Sequence, residues 1–129
     1  MSLTLPPIVI TETDFDFLSN LTSVRGGALS EVMNFLEQEL ARADVVPDDY
    51  VPNDAARLHS RITYRDAQTG QERSVTLAYP QEEDASRGVI SVLTPVGAAL
   101  IGLRPGQRIT WKSWAGTERT LEVLRVEAA

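Results

Sequence analysis

Cysteine is absent from the 129 residues. That excludes disulfides, thiolate metal sites and a cysteine nucleophile, and it fits a reducing compartment. Histidine occurs once, at His59. A single imidazole has no second histidine or cysteine with which to share a metal, and a serine nucleophile would depend on it as base. The Gly-x-Ser-x-Gly elbow, the phosphate-binding loop and Gly-x-Gly-x-x-Gly are all missing. The expectation is a protein that is not an enzyme, with no catalytic residues, no metal ligands and no cofactor. Aromatics are few, at three Phe, three Tyr and two Trp. No apolar run approaches the roughly 20 residues that cross a bilayer. The opening Met1-Ser2-Leu3-Thr4-Leu5-Pro6-Pro7 has neither the basic start nor the apolar stretch of a signal peptide. A cytoplasmic protein without membrane contact is expected.

Bases are scarce at the front. Residues 1–49 set nine acids against Arg25 and Arg42, whereas residues 50–129 set nine acids against ten bases. The net charge of −6 argues against the whole chain gripping a phosphate backbone. No direct sequence-specific contact with nucleic acid is expected, and a monomer is favoured. The uneven charge predicts two regions with different surfaces.

What is present begins with helical spacing. Thr11 and Asp14, and Thr13 and Asp16, each match a Thr-x-x-acid start, followed by Phe15, Leu18 and Leu21 at three-residue steps. Gly26-Gly27 allows the chain to turn. Leu29, Val32, Met33, Leu36, Leu40 and Ala43 form a second stripe, with Ser30 as N-cap and with Glu31, Glu37, Glu39, Arg42 and Asp44 off it. Neither stripe can stay wet, so the two helices are expected to pack as an antiparallel hairpin. Periodicity leaves two uses open: an arm that reaches into a partner, or a helical pair folded onto the rest of the chain. Two prolines and three aspartates across residues 46–54 end this region.

Beyond residue 54 the period is two. Leu58, Ser60, Ile62 and Tyr64 alternate with His59, Arg61 and Thr63, which predicts a strand. A hairpin loop at residues 66–70, a second strand over 73–79 and a third over 89–93 follow. Thr94-Pro95 is a helix start, with Thr94 as N-cap, and Gly102 stops that helix. Residues 108–114 and 117–127 make a last hairpin around Ala115-Gly116. Five antiparallel strands curled around one short helix, preceded by the helical hairpin, give an α+β fold. The expected division is residues 1–49 and residues 50–129.

Candidate chemistry is thin. Glu82-Glu83-Asp84 can attract a divalent cation, or be a solvated loop. Tyr64, Tyr79, Trp111 and Trp114 can line a pocket, or be core residues of the sheet. The bases beyond residue 50 are scattered, with no stripe of interleaved aromatics for a single nucleic-acid strand.

One stretch is more specific. Residues 86–110 carry Thr94-Pro95 after a strand, then Ala99-Leu100-Ile101-Gly102, then Gly106 before another strand. This resembles the C-terminal domain of the GreA/GreB transcription factors, with Gln107 where that family usually has an acid. Residues 60–64 and 69–72 resemble the family's first hairpin. The resemblance covers roughly residues 50–127 and implies an FKBP-like domain. It further implies RNA polymerase as partner, transcription regulation and elongation as setting, and, at family level, an association with DNA binding. Gre factors carry a long coiled-coil arm with an acidic tip that enters the polymerase secondary channel and helps hold a catalytic magnesium. Here the two helices span roughly 20 Å, and the turn at residues 20–29 contains no carboxylate. A short arm on such a domain resembles the Rnk branch, as do Tyr79-Pro80 and residues 95–100. That branch implies polymerase binding at the Gre site without stimulated transcript cleavage. The resemblance places polymerase contact at the channel rim on Leu93, Thr94, Pro95 and Val96. The alternative is a peptidyl-prolyl isomerase or another protein-binding module on the same FKBP-like fold.

Overall fold

The apolar stripe at residues 32–43 needs cover, and the fold supplies it. In the computed structural model, which describes residues 7–22, 30–50, 54–112 and 118–127, helix α1 spans Glu12–Thr22 and helix α2 spans Ser30–Arg42. The two pack on each other. The expected turn at Gly26-Gly27, the capping role of Ser30, Trp114 and the turn at Ala115-Gly116 lie outside the described residues and side chains. Leu18, Met33, Leu36 and Leu40 are buried in the same cluster as Ile62, Leu100 and Trp111. Phe35 lies 6.1 Å from Trp111 and Phe17 lies 4.3 Å from Tyr79, centroid to centroid. Of the two uses left open by periodicity, the helices take the second along their described length: they are seated on the domain.

Two very short strands escape the periodic reading. β1 (Val9–Thr11) enters α1 directly, and β2 (Asp44–Val46) follows α2. They pair in parallel, Val9 opposite Asp44, and close the neck of the helical pair. A 3-10 turn at Asp48–Tyr50 follows. The placement of Glu39 off the stripe is also corrected. Its residue is 1% exposed, and its carboxylate accepts from Arg42 Nε at 2.5 Å and Nη2 at 3.0 Å. A charge is tolerated there because it is paired and hydrogen-bonded.

The remaining strands are β3 (Arg61–Asp66), β4 (Glu72–Ala78), β5 (Val89–Ser91), β6 (Arg108–Lys112) and β7 (Glu118–Glu127), with helix α3 at Pro95–Leu100 between β5 and β6. Their order in the sheet is β5-β4-β3-β7-β6. Every pairing is antiparallel except β4–β5, which corrects the expectation of an all-antiparallel sheet. A tight turn after β4 would reverse the chain. Instead, residues 79–88 run through two 3-10 turns, Pro80–Glu82 and Ala85–Arg87, and bring Val89 back beside Thr76. Alternation along β3 sends Ile62 and Tyr64 into the core with Leu77, Ile109, Leu121 and Val123, against the buried Ala98, Ala99 and Leu100 of α3. On the opposite face, hydroxyls pair across strands: Thr63 with Ser74 at 2.8 Å, and Thr110 with Thr120 at 2.9 Å. The fold is α+β, as the sequence implied.

Candidate functional site

The segment from β5 into α3 is built by short-range bonds. Thr94 Oγ1 accepts the Gly97 N–H at 3.0 Å and donates to the Ser91 carbonyl at 2.8 Å. The threonine thus caps the helix, as expected from Thr94-Pro95, and ties it back to β5. Pro95 opens the helix where an N–H would have no partner. Position 97 must be glycine, because a Cβ there would meet the Ser91 carbonyl oxygen at 2.3 Å and Val92 Cα at 3.0 Å. Four residues were singled out here, and they do not share one surface. Leu93 is buried in the core, Thr94 is spent on the cap, Val96 is half-buried and Pro95 is exposed.

A second cluster joins α1 to the sheet. Thr11 caps α1, its hydroxyl accepting the Asp14 N–H at 3.1 Å. The other start signal, Thr13, meets Asp48 instead: its N–H donates to Oδ1 at 3.1 Å and its hydroxyl to Oδ2. Those bonds hold Asp48 below the ordinary carboxylate range. Asp14 is buried and accepts the Leu58 N–H at 3.2 Å, with Arg57 Nε at 3.9 Å. Burial is the larger influence, and it raises the Asp14 pKa.

His59 is not on a strand. It sits before β3 in the left-handed region, at φ 75°, among the described residues the one non-glycine to do so. Its ring lies edge-on to Tyr79 at 5.0 Å, and its Nε2 is 2.9 Å from Glu82 Oε1. Glu82 also accepts the Tyr79 N–H at 3.0 Å, and the His59 bond foremost lowers its pKa. Asp84 turns back on Ser86, accepting from its N–H and hydroxyl. Glu82 and Asp84 are thus engaged in bonds to neighbouring groups, and among the described residues no three His, Asp or Glu side chains converge as a metal cage. Tyr64 and Trp111 are buried in the core, and Tyr79 packs on Phe17. The sequence showed the capping pairs; it gave no sign of Asp14 reaching Leu58 across 44 positions.

Comparison with known proteins covers both this domain and the helical pair. A family model described as transcription elongation factor GreA/GreB, C-terminal, matches residues 51–128. The chain belongs to the GreA/GreB family. A model of the Rnk N-terminus matches residues 6–46 and sets it in the Rnk branch. The chain is 35% identical over 122 residues to the regulator of nucleoside diphosphate kinase of Escherichia coli K12, covering 95% of this chain and 90% of that protein. It is 35% identical over 88 residues to the transcription elongation factor GreA of Roseiflexus castenholzii, covering 68% of this chain and 55% of that factor. Among solved structures, a prokaryotic transcription elongation factor GreA/GreB from Nitrosomonas europaea superposes with a TM-score of 0.73 at 32% identity, over 95% of this chain and 99% of that one. These GreA/GreB relatives are named as regulators or elongation factors, and none of these names describes an enzyme. Among the described residues no helix is long and apolar enough to cross a membrane.

Proposed function

We propose that this chain is a transcription regulator that binds RNA polymerase at the secondary-channel rim, where Gre factors bind, and does not stimulate transcript cleavage. In this reading residues 1–49 are a truncated arm with its linker, and residues 50–129 are the polymerase-facing domain. The observation that carries it is the arm itself. Its helices hold 11 and 13 residues, which is about 16–20 Å of helix, and their apolar faces are spent on the domain's own core.

The chemistry points the same way. Stimulated cleavage needs a second metal ion to activate water and stabilise the leaving oxygen. Magnesium takes oxygen ligands, usually carboxylates brought right up to it. The sequence at residues 20–29 carries Thr22, Ser23 and Arg25 but no acid, and a guanidinium repels a cation at short range. Binding without cleavage leaves one effect, occupation of the Gre site. On the domain side, Leu93 is buried while Thr94, Pro95 and Val96 keep surface to offer, and contact is expected there.

The test is a backtracked elongation complex. Added alone, the protein leaves the RNA at full length. Titrated in with a Gre factor, it slows the shortening. Magnesium-dependent shortening by this protein and polymerase alone would sink the reading, and so would failure to be retained on immobilised core polymerase.

A further inference from the structure

The helical pair is seated on the sheet by apolar burial, which is strong but has no direction. Something else must fix the angle at which it sits. Among the described residues, a single backbone hydrogen bond outside the helices and strands joins residues 7–50 to residues 54–127: the Val9 N–H to the Gly102 carbonyl, at 3.2 Å. Two side chains add direction, one on each side of the neck.

The first is Gln107. Its Nε2 donates to the Pro7 carbonyl at 3.1 Å, while its Oε1 accepts the Arg104 N–H of its own turn at 2.9 Å. Both ends of the amide are used, and a carboxylate could supply only the accepting one. The same loop meets β1 at Gly102. That residue has φ +81°, and a Cβ there would lie 2.8 Å from Ile8 Cβ. It also holds the chain leaving the helical pair: Gly102 N–H donates to Ala56 O at 2.8 Å, Ala56 N–H to Leu103 O at 2.8 Å, and Arg104 Nε pairs with Asp54 at 3.0 Å. The second side chain is Asp14, on α1, which accepts the Leu58 N–H where the chain turns towards β3.

We propose that Gln107 and Asp14 are positioning residues that together fix the angle of the helical pair on the sheet, while the core supplies only adhesion. Neither touches a reacting group. They act through the backbone at Pro7 and at Leu58.

The absence of native cysteine makes the pose measurable. Spin labels on Gln38→Cys in α2 and Arg73→Cys in β4, both exposed positions, report one distance across the junction. The unaltered pair should give a single narrow distance. Gln107→Ala with Asp14→Ala should lose it for a broad distribution, at temperatures where near-ultraviolet dichroism shows the core intact. Asp14→Asn, which keeps an acceptor for Leu58, should restore most of the narrow distance when paired with native Gln107. Gln107→Glu should behave as Gln107→Ala, because the carboxylate cannot donate to Pro7. A role in stability alone would lower the melting temperature and leave the distance narrow. An unchanged distance in the folded double variant overturns the proposal. Should that variant not fold, Gln107→Ala and Asp14→Ala decide singly, and an unchanged distance in either one overturns it. The readout contains no polymerase, so its failure leaves the proposed function standing.

Discussion

Thr94 makes two side-chain bonds within one turn, and its replacement separates them from mere bulk. Thr94→Ala loses the Gly97 cap and the tie to Ser91. A cap of this kind is worth about 1 kcal/mol, so urea unfolding should show a loss of that order, and Thr94→Ser should recover most of it. Any polymerase-binding defect in Thr94→Ala must exceed what that loss explains before the residue counts as contact surface. The carboxylates at the junction answer to pH with opposite signs. Asp48 is held below the ordinary carboxylate value of 3.8 by its bonds from Thr13, so the stability it adds is complete above 3.8 and is lost as pH falls through its lower folded value. Asp48→Asn should therefore be weakest relative to the native chain near neutrality, and the two urea midpoints should converge on acidification below 3.8. Asp14 is raised by burial, so its charged form is a cost that sets in as pH rises through its folded value. Asp14→Asn should gain on the native chain as pH rises through that window. Parallel midpoints across the whole range would contradict both assignments.

At the scale of elements, what the sequence displays is what local chemistry encodes. The stripe of α2, the hairpin loop at residues 66–70 and the Thr94-Pro95 start were all readable, because spacing and capping act within a few residues. The parallel pair β1–β2 was not. Three residues are too few to show a period of two, and their pairing joins Val9 to Asp44. The parallel turn of β5 was hidden for a related reason: the direction of a strand is set by where its loop returns, not by its own residues. His59 alternates correctly with its neighbours yet lies outside β3, held in a left-handed backbone by its N–H to the Leu77 carbonyl at 2.7 Å. Of the candidate site, the capping of Thr94 was readable and the burial of Leu93 was not, since both follow β5 in the same apolar run. Leu36 tests how the helices are held. It is fully buried on α2, and Leu36→Ala should cost about 2–5 kcal/mol. A loss below 1 kcal/mol would mean that α2 contributes little to the common core.

For the molecule as a whole, one continuous cluster runs from Leu18 and Leu36 through Leu100 to Val123. Helices and sheet should therefore unfold together, with helical dichroism and tryptophan fluorescence tracing one transition in the native chain and in Leu36→Ala alike. The strand order carries a different kind of consequence. β7 lies between β3 and β6, pairing Arg61 with Glu127 and Asp66 with Leu121. The hairpin of β3 and β4 closes over a few residues and can form in microseconds, whereas the β3–β7 ladder must wait for a long loop to close. In that interval one side of β3 is an open edge of unpaired N–H and C=O groups, the kind of edge on which chains pair wrongly with one another. Its sequence is Arg61-Ile62-Thr63-Tyr64-Arg65-Asp66. The charges at 61, 65 and 66 bracket the apolar pair and act as gatekeepers while the edge is open. The ion pairs that Arg65 makes with Glu122 at 2.7 Å, and Asp66 with Arg119 at 3.3 Å, then join β7 to that same edge. Charges that deter the wrong strand during folding become the ones that receive the right strand at its end.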